Sequence, residues 1–62
     1  AMNLLETWVY NITSVKRIEQ EGSVLYKLKA DIDCYGAKRK QVDMTLTEQE
    51  YNSVLQYGYY IS

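Results

Sequence analysis

Few residues in this chain are able to do chemistry: a single cysteine, Cys34, and two aspartates just before it, Asp31 and Asp33. A catalytic thiol needs a histidine base and a zinc site needs several ligands, yet the chain contains no histidine. The two carboxylates would suit a hard cation, but no third acidic ligand accompanies them. We therefore predict no enzymatic activity, no metal and no cofactor, although a mechanism using only lysine or carboxylate groups stays open. Cys34 is expected to be a small buried hydrophobic residue.

The basic residues offer a nucleic-acid surface as one alternative function. Lys38-Arg39-Lys40 is the only basic run, and Tyr35 precedes it, placed to stack on a base. Side chains alternate along a strand, so Arg39 points away from its neighbours and the run is not one patch. Seven basic and eight acidic residues give a net charge of −1, which attracts nucleic acid only weakly. A solvated hairpin is favoured; the alternative depends on Lys27, Lys29, Tyr35, Lys38, Arg39 and Lys40.

The aromatic residues are the candidates for a protein-binding surface. The chain has seven tyrosines, one tryptophan and no phenylalanine. Tyrosine and tryptophan combine a large apolar ring with a polar group, which suits half-buried positions and interfaces. In so small a chain, the simpler explanation is a thin core with hydrated edges. If these residues do bind a partner, the candidates are Trp8, Tyr10, Tyr57, Tyr59 and Tyr60.

One helix is predicted, over residues 48–57, and it organises the rest of the chain. Thr47 and Glu50 have the spacing of a capping box, in which each side chain accepts a hydrogen bond from the other residue's backbone amide. Gly58 then ends the helix, because glycine adopts the left-handed conformation at little cost.

The residues before this helix are predicted to form an antiparallel sheet. Apolar and polar residues alternate through 7–18, 23–35 and 38–46, the middle segment most regularly. A bulge is expected near 13–15. We predict a three-residue loop that sets Glu19 opposite Ser23, and a second turn around Gly36.

The register of the second hairpin follows from matching apolar residues on one face and opposite charges on the other. The predicted pairs are Cys34 with Lys38, Ala30 with Val42, Leu28 with Met44, Asp33 with Arg39 and Lys29 with Asp43.

These elements predict one α+β domain over residues 1–62: an antiparallel three-stranded β-meander with one C-terminal helix packed on it. Residues 59–61 leave two alternatives open, a short fourth strand on an edge of the sheet or pairing with a second copy. The helix stripe and the even-numbered strand face predict the core. Its expected members are Tyr51, Val54 and Leu55 from the helix, and Tyr10, Ile12, Leu28, Ala30 and Met44 from the sheet.

The closing segment Leu46-Thr47-Glu48-Gln49-Glu50-Tyr51, followed by Tyr57-Gly58-Tyr59, accompanies a meander of this length. The whole pattern resembles small uncharacterised proteins encoded by phages and prophages of Gram-positive bacteria. This resemblance implies a non-enzymatic module that binds a host or phage protein.

Self-association is also expected. A 62-residue chain builds only a thin core, and a lone cysteine cannot form an internal disulfide. A meander leaves open edges, and the segment from Thr7 to Val15 carries no charge. We therefore predict a symmetric homodimer that buries this edge and the tyrosine-rich tail. No membrane-spanning run or export signal is recognised, so a cytoplasmic location is expected.

Overall fold

The computed structural model describes residues 5–61, which form one four-stranded antiparallel sheet and one helix. The strands lie in the order β3-β2-β1-β4, so the predicted α+β meander with a C-terminal helix is confirmed. The elements, in chain order, are β1 (Glu6–Gln20), β2 (Ser23–Cys34), β3 (Ala37–Thr47), α1 (Glu48–Tyr57) and β4 (Tyr59–Ile61).

Helix α1 begins and ends where the sequence predicts. The Thr47 amide donates to the Glu50 carboxylate at 2.9 Å, and the Glu50 amide donates to the Thr47 hydroxyl at 3.2 Å, which completes the capping box. Gly58 lies in the left-handed region with φ 89°, and its amide donates to the Val54 carbonyl at 2.8 Å. Both ends are therefore set by local hydrogen bonds.

The first hairpin differs from the prediction by one residue. Its loop contains two residues, Glu21 and Gly22, both with positive φ, so that Gln20 pairs with Ser23. The predicted three-residue loop, which would set Glu19 opposite Ser23, is wrong. Because side chains alternate along a strand, this single-residue difference exchanges the two faces of β1 relative to β2.

The exchanged faces change which residues of β1 enter the core. Thr7 and Val9 are buried, whereas Trp8 and Tyr10 are 45% and 41% exposed. The prediction that Tyr10 lies in the core beneath the helix is therefore wrong. Ile12 does pack against the core as predicted, because an irregularity in β1 after Tyr10 turns it inward.

The second hairpin also has a two-residue loop, Tyr35-Gly36, with positive φ at both positions. With this loop alone, the side chains of β3 would point to the faces opposite to those predicted. A bulge between Arg39 and Val42 adds one residue to β3, so that the side chains beyond it point to the predicted faces. The predicted pairs beyond the bulge are confirmed: Ala30 with Val42, Leu28 with Met44 and Lys29 with Asp43. The two predicted pairs before it are wrong, since Cys34 pairs with Ala37 and Asp33 with Lys38.

The core lies between α1 and one face of the sheet. Val54 is the buried residue of the helix, with 5% of its surface exposed, and Tyr51 stacks on Tyr26 with ring centroids 4.0 Å apart. Leu55 is 62% exposed, so its predicted place against the sheet is wrong. The buried apolar residues are Val9, Leu28, Ala30, Leu46 and Val54.

The tail forms β4 and pairs with β1 of the same chain. Of the two alternatives predicted for residues 59–61, the structure has the short fourth strand on an edge of the sheet. Glu6, Thr7 and Trp8 lie opposite Ile61, Tyr60 and Tyr59. The edge of β1 is therefore covered at its first residues and open beyond them. Within residues 5–61, no helix is long and apolar enough to cross a membrane.

Candidate functional site

An aromatic cluster lies where β1, β4 and the end of α1 meet. We define it as Trp8, Tyr57 and Tyr59. The rings of Trp8 and Tyr59 are tilted against each other with centroids 4.7 Å apart, and those of Tyr57 and Tyr59 are 6.1 Å apart. Trp8 is 45% exposed and Tyr57 is 59% exposed, so much of this aromatic surface faces solvent.

Backbone contacts hold the aromatic cluster in place. The Val9 amide donates to the Gly58 carbonyl at 3.0 Å, and the Ser53 hydroxyl donates to the Tyr59 carbonyl at 2.8 Å. The Trp8 ring lies over Gly58, with its nearest atom 3.6 Å from where a Cβ of residue 58 would stand. The rings therefore sit on a junction of strand and helix end, which limits their freedom before any partner binds.

The other two predicted partner-binding residues are divided between the faces of the sheet. Tyr10 follows Trp8 by two residues in β1 and lies on the same face. Tyr60 lies opposite the buried Thr7 and packs against the core. Burial raises the pKa of the Tyr60 hydroxyl above its usual range. The structure thus joins four of the five predicted residues to one region and places Tyr60 inside.

Carboxylates border the aromatic cluster. Asp33 lies directly across from Trp8 on β2, and Glu6 precedes Trp8 by two residues on the same face. Within residues 5–61 the only salt bridge joins Arg17 and Glu19, so neither carboxylate has a salt-bridge partner there. The last turn of α1 contains no basic residue, and its carbonyls add negative potential next to Tyr57. Lys38, across from Asp33 on β3, offsets part of this charge, and the surroundings of the cluster are acidic on balance.

A polar network surrounds Asp31 in the middle of the sheet. The Asp31 carboxylate accepts hydrogen bonds from the Asn11 side-chain amide at 2.9 Å, the Gln41 backbone amide at 2.8 Å and the Gln41 side-chain amide at 2.9 Å. The Thr13 hydroxyl donates to the Gln41 side-chain oxygen at 2.6 Å. The bond from Asn11, followed by those from Gln41, lowers the pKa of Asp31. All three bonds stabilise its charged form.

This network joins two irregularities on either side of β2. Asn11 and Gln41 have φ of 50° and 49°, unusual values for residues other than glycine. Asn11 lies in the register shift between Tyr10 and Ser14, which begins earlier in β1 than the bulge predicted near 13–15, and Gln41 lies in the bulge of β3. The hydrogen-bond partners of Asp31 are therefore all amides. We interpret these hydrogen bonds as the interactions that stabilise both irregularities.

The predicted nucleic-acid residues do not form one patch. Lys27 and Lys29 share the sheet face opposite α1, whereas Lys38 lies opposite Asp33 near the acidic surroundings of Trp8. Arg39 pairs with Ile32, which packs against the core side of the sheet, and Lys40 lies in the bulge. Tyr35 is exposed in the second loop. A cation that the sequence did not single out, Lys16, lies directly opposite Lys27.

A shallow cleft of about 340 Å³ lies between α1 and β4. Its lining includes Glu50 and Thr47, whose side chains already bond to each other's backbone in the capping box. No cluster of three or more potential metal-binding side chains occurs among the described residues. Cys34 is half-buried.

No family model, curated protein or solved structure matches this chain. The site is therefore interpreted from its own geometry. Sequence reasoning found the aromatic residues by type but missed Glu6, which lies beside them, and Lys16, which lies opposite Lys27. A two-residue first loop would have revealed both, because it places Lys16 opposite Lys27 and sends Glu6 and Trp8 to the face away from the helix.

Proposed function

We propose that this protein is a non-enzymatic module that binds protein, and that the aromatic cluster is its contact surface. The observation that carries the proposal is the 45% exposure of Trp8 on a junction held by backbone hydrogen bonds. Tryptophan and tyrosine dominate the energetics of protein interfaces, because each buries a large area with few rotatable bonds. The implied resemblance to phage-encoded binding proteins agrees with this proposal.

The partner is a protein and not a nucleic acid because of the charges beside the cluster. A stacking platform for bases needs cations next to its aromatic rings. Here Glu6 and Asp33 flank Trp8, and the nearby Lys38 lies directly across from the Asp33 carboxylate. The pair of lysines that has no carboxylate across from it, Lys16 and Lys27, lies farther along the sheet. Phosphates bound there would not reach the aromatic rings.

The test compares two single-residue variants in an affinity capture experiment. Trp8→Ala removes the proposed anchor, while Leu55→Ala removes a more exposed apolar side chain from the helix and serves as the control. Circular dichroism establishes that both variants fold. We expect proteins retained by the wild-type chain to be lost with Trp8→Ala and kept with Leu55→Ala. Equal retention by both variants would refute the proposed surface.

A gel shift at two salt concentrations tests the rival function. Phosphate contacts give an affinity that falls steeply as salt rises, by about one logarithmic unit per neutralised phosphate for each tenfold change in salt. We expect no shift of DNA or RNA at either concentration. A salt-sensitive shift that is lost on Lys16→Glu would favour nucleic-acid binding instead.

A further inference from the structure

The face of the sheet opposite α1, here called the outer face, has no covering element among residues 5–61. Helix α1 packs on the other face, where the buried residues lie. The outer face carries half-buried apolar residues, Ile18 and Leu25, which lie directly opposite each other. A sheet with one uncovered, partly apolar face is expected to bury it against another surface.

The two ends of the outer face differ in charge. One end, here called the acidic–aromatic end, holds Trp8 with Glu6, Asp33 and Tyr59. The other end, here called the lysine end, holds Lys16, Lys27 and Lys29. Six residues of β2 separate the partners of Trp8 and Lys16, Asp33 and Lys27, which corresponds to about 20 Å at the usual rise of a strand.

The charge of the lysine end is only partly compensated within residues 5–61. Lys16 and Lys27 are cross-strand partners, and like charges directly opposite each other destabilise a sheet. Of the three lysines, only Lys29 has a carboxylate across the strand, that of Asp43. Lys38 lies across from Asp33 at the acidic–aromatic end, which therefore holds two carboxylates and one ammonium group, whereas the lysine end holds three ammonium groups and the Asp43 carboxylate. The two ends are therefore opposite in net charge.

We propose that the partner of the aromatic cluster is a second copy of this chain, packed outer face against outer face about a twofold axis that runs across the strands. This inference rests on the proposed function. The axis sets the acidic–aromatic end of each copy on the lysine end of the other. Each contact then pairs lysines with carboxylates and places an ammonium group near the Trp8 ring, which attracts cations. Ile18 and Leu25 lie beyond Lys16 and Lys27, toward the first loop, so in this arrangement they border the acidic–aromatic end of the partner copy.

Other dimer arrangements fit the observations less well. A twofold axis parallel to the strands would set the lysine end on itself and bring six ammonium groups together. The sequence suggested a dimer paired along the start of β1, but β4 of the same chain already pairs with Glu6–Trp8. The rest of that edge carries charged side chains and an irregularity, features that oppose strand addition.

The test uses two charge variants, alone and mixed. Lys16→Glu with Lys27→Glu makes both ends acidic, and Glu6→Lys with Asp33→Asn removes the acidic charges and adds a positive one. The asparagine at 33 keeps a side-chain oxygen for the hydrogen bond that the Gly36 amide donates at 3.1 Å. By sedimentation equilibrium we expect a wild-type dimer at micromolar concentration, and a dissociation constant at least about tenfold higher for each variant alone.

The equimolar mixture of the two variants is the decisive sample. In the proposed arrangement, each end of one variant meets the oppositely charged end of the other, so the mixture should form a heterodimer. Arg17→Glu with Arg39→Glu is the control: it changes net charge as much as the double lysine variant but leaves the outer face unchanged, and it should dimerise like the wild type.

The outcomes separate this inference from the proposed function. A wild-type chain that stays monomeric, or a mixture that stays monomeric, would overturn the face-to-face dimer. Trp8-dependent capture of a different protein by a monomeric chain would overturn it too, while leaving the proposed function in place. A dimer that assembles in the mixture but is insensitive to Trp8→Ala would support the charge pairing and refute the role of the aromatic cluster.

Discussion

Val54 and Leu55 are neighbours in α1, and truncating each to alanine should have very different effects on stability. Val54 is 5% exposed and Leu55 is 62% exposed. Val54→Ala removes two buried carbon atoms, worth about 1.6 kcal/mol at about 0.8 kcal/mol each. The cavity left behind adds to this loss, and the higher helix propensity of alanine offsets about 0.5 kcal/mol. We expect a net loss of about 1.5 kcal/mol for Val54→Ala and less than about 0.5 kcal/mol for Leu55→Ala.

A loss of this size is easily measured in so small a domain. A chain of 62 residues has a total free energy of unfolding of about 3–9 kcal/mol. The expected loss for Val54→Ala corresponds to a decrease in Tm of about 6–12 °C. Thermal and urea unfolding followed by circular dichroism, at one fixed protein concentration, supply the comparison. If Leu55→Ala destabilised the protein as much as Val54→Ala, the described orientation of α1 would be wrong.

Three other positions give independent predictions. Thr47→Ala removes the acceptor of the Glu50 amide and should destabilise the protein by about 1 kcal/mol in urea unfolding, whereas Thr47→Ser should restore most of the loss. Gly58→Ala has space for its methyl group but must adopt φ 89°, so we expect a loss of about 1 kcal/mol, and a smaller loss for Gly58→Asn. Asp31 has a lowered pKa in the folded state, so its charged form stabilises the fold fully above its unfolded pKa of about 4, and this contribution is lost as pH falls through the folded value. The Tm difference between wild type and Asp31→Asn should therefore be largest near neutral pH and shrink in acid; a difference that does not depend on pH would contradict the proposed charge of Asp31.

Residue types alone predict only part of the candidate site. The aromatic residues are identifiable from their types, because tyrosine and tryptophan favour half-buried surfaces wherever they occur. Their grouping is not, since Trp8 and Tyr59 lie far apart in the chain and meet only through the pairing of β4 with β1. Tyr60 differs from Tyr59 only in facing the opposite side of a three-residue strand.

The Asp31 network is a second feature that the sequence alone does not predict. Asn11, Asp31 and Gln41 belong to three different strands, and no spacing in the sequence connects them. Their side chains meet because two irregularities flank the same position of β2. Such irregularities depend on the register of the neighbouring strands, so the polar residues that fill them are recognised only when the sheet is assembled.

The sequence by itself determined α1, the positions of the two hairpin turns and the inward face of β2, because each depends on contacts within a few residues: the capping box, the glycines and the alternation of apolar side chains. The faces of β1 and the place of the tail were decided by tertiary structure. A two-residue instead of a three-residue loop at Glu21-Gly22 changes the local chain very little but exchanges the two faces of a 15-residue strand. In β3 the bulge at Gln41 compensates for the short second loop, so the predicted core face of β3 is right beyond the bulge. Register is a property of the whole sheet, so an error of one residue in a loop moves Tyr10 from the expected core to the outer face.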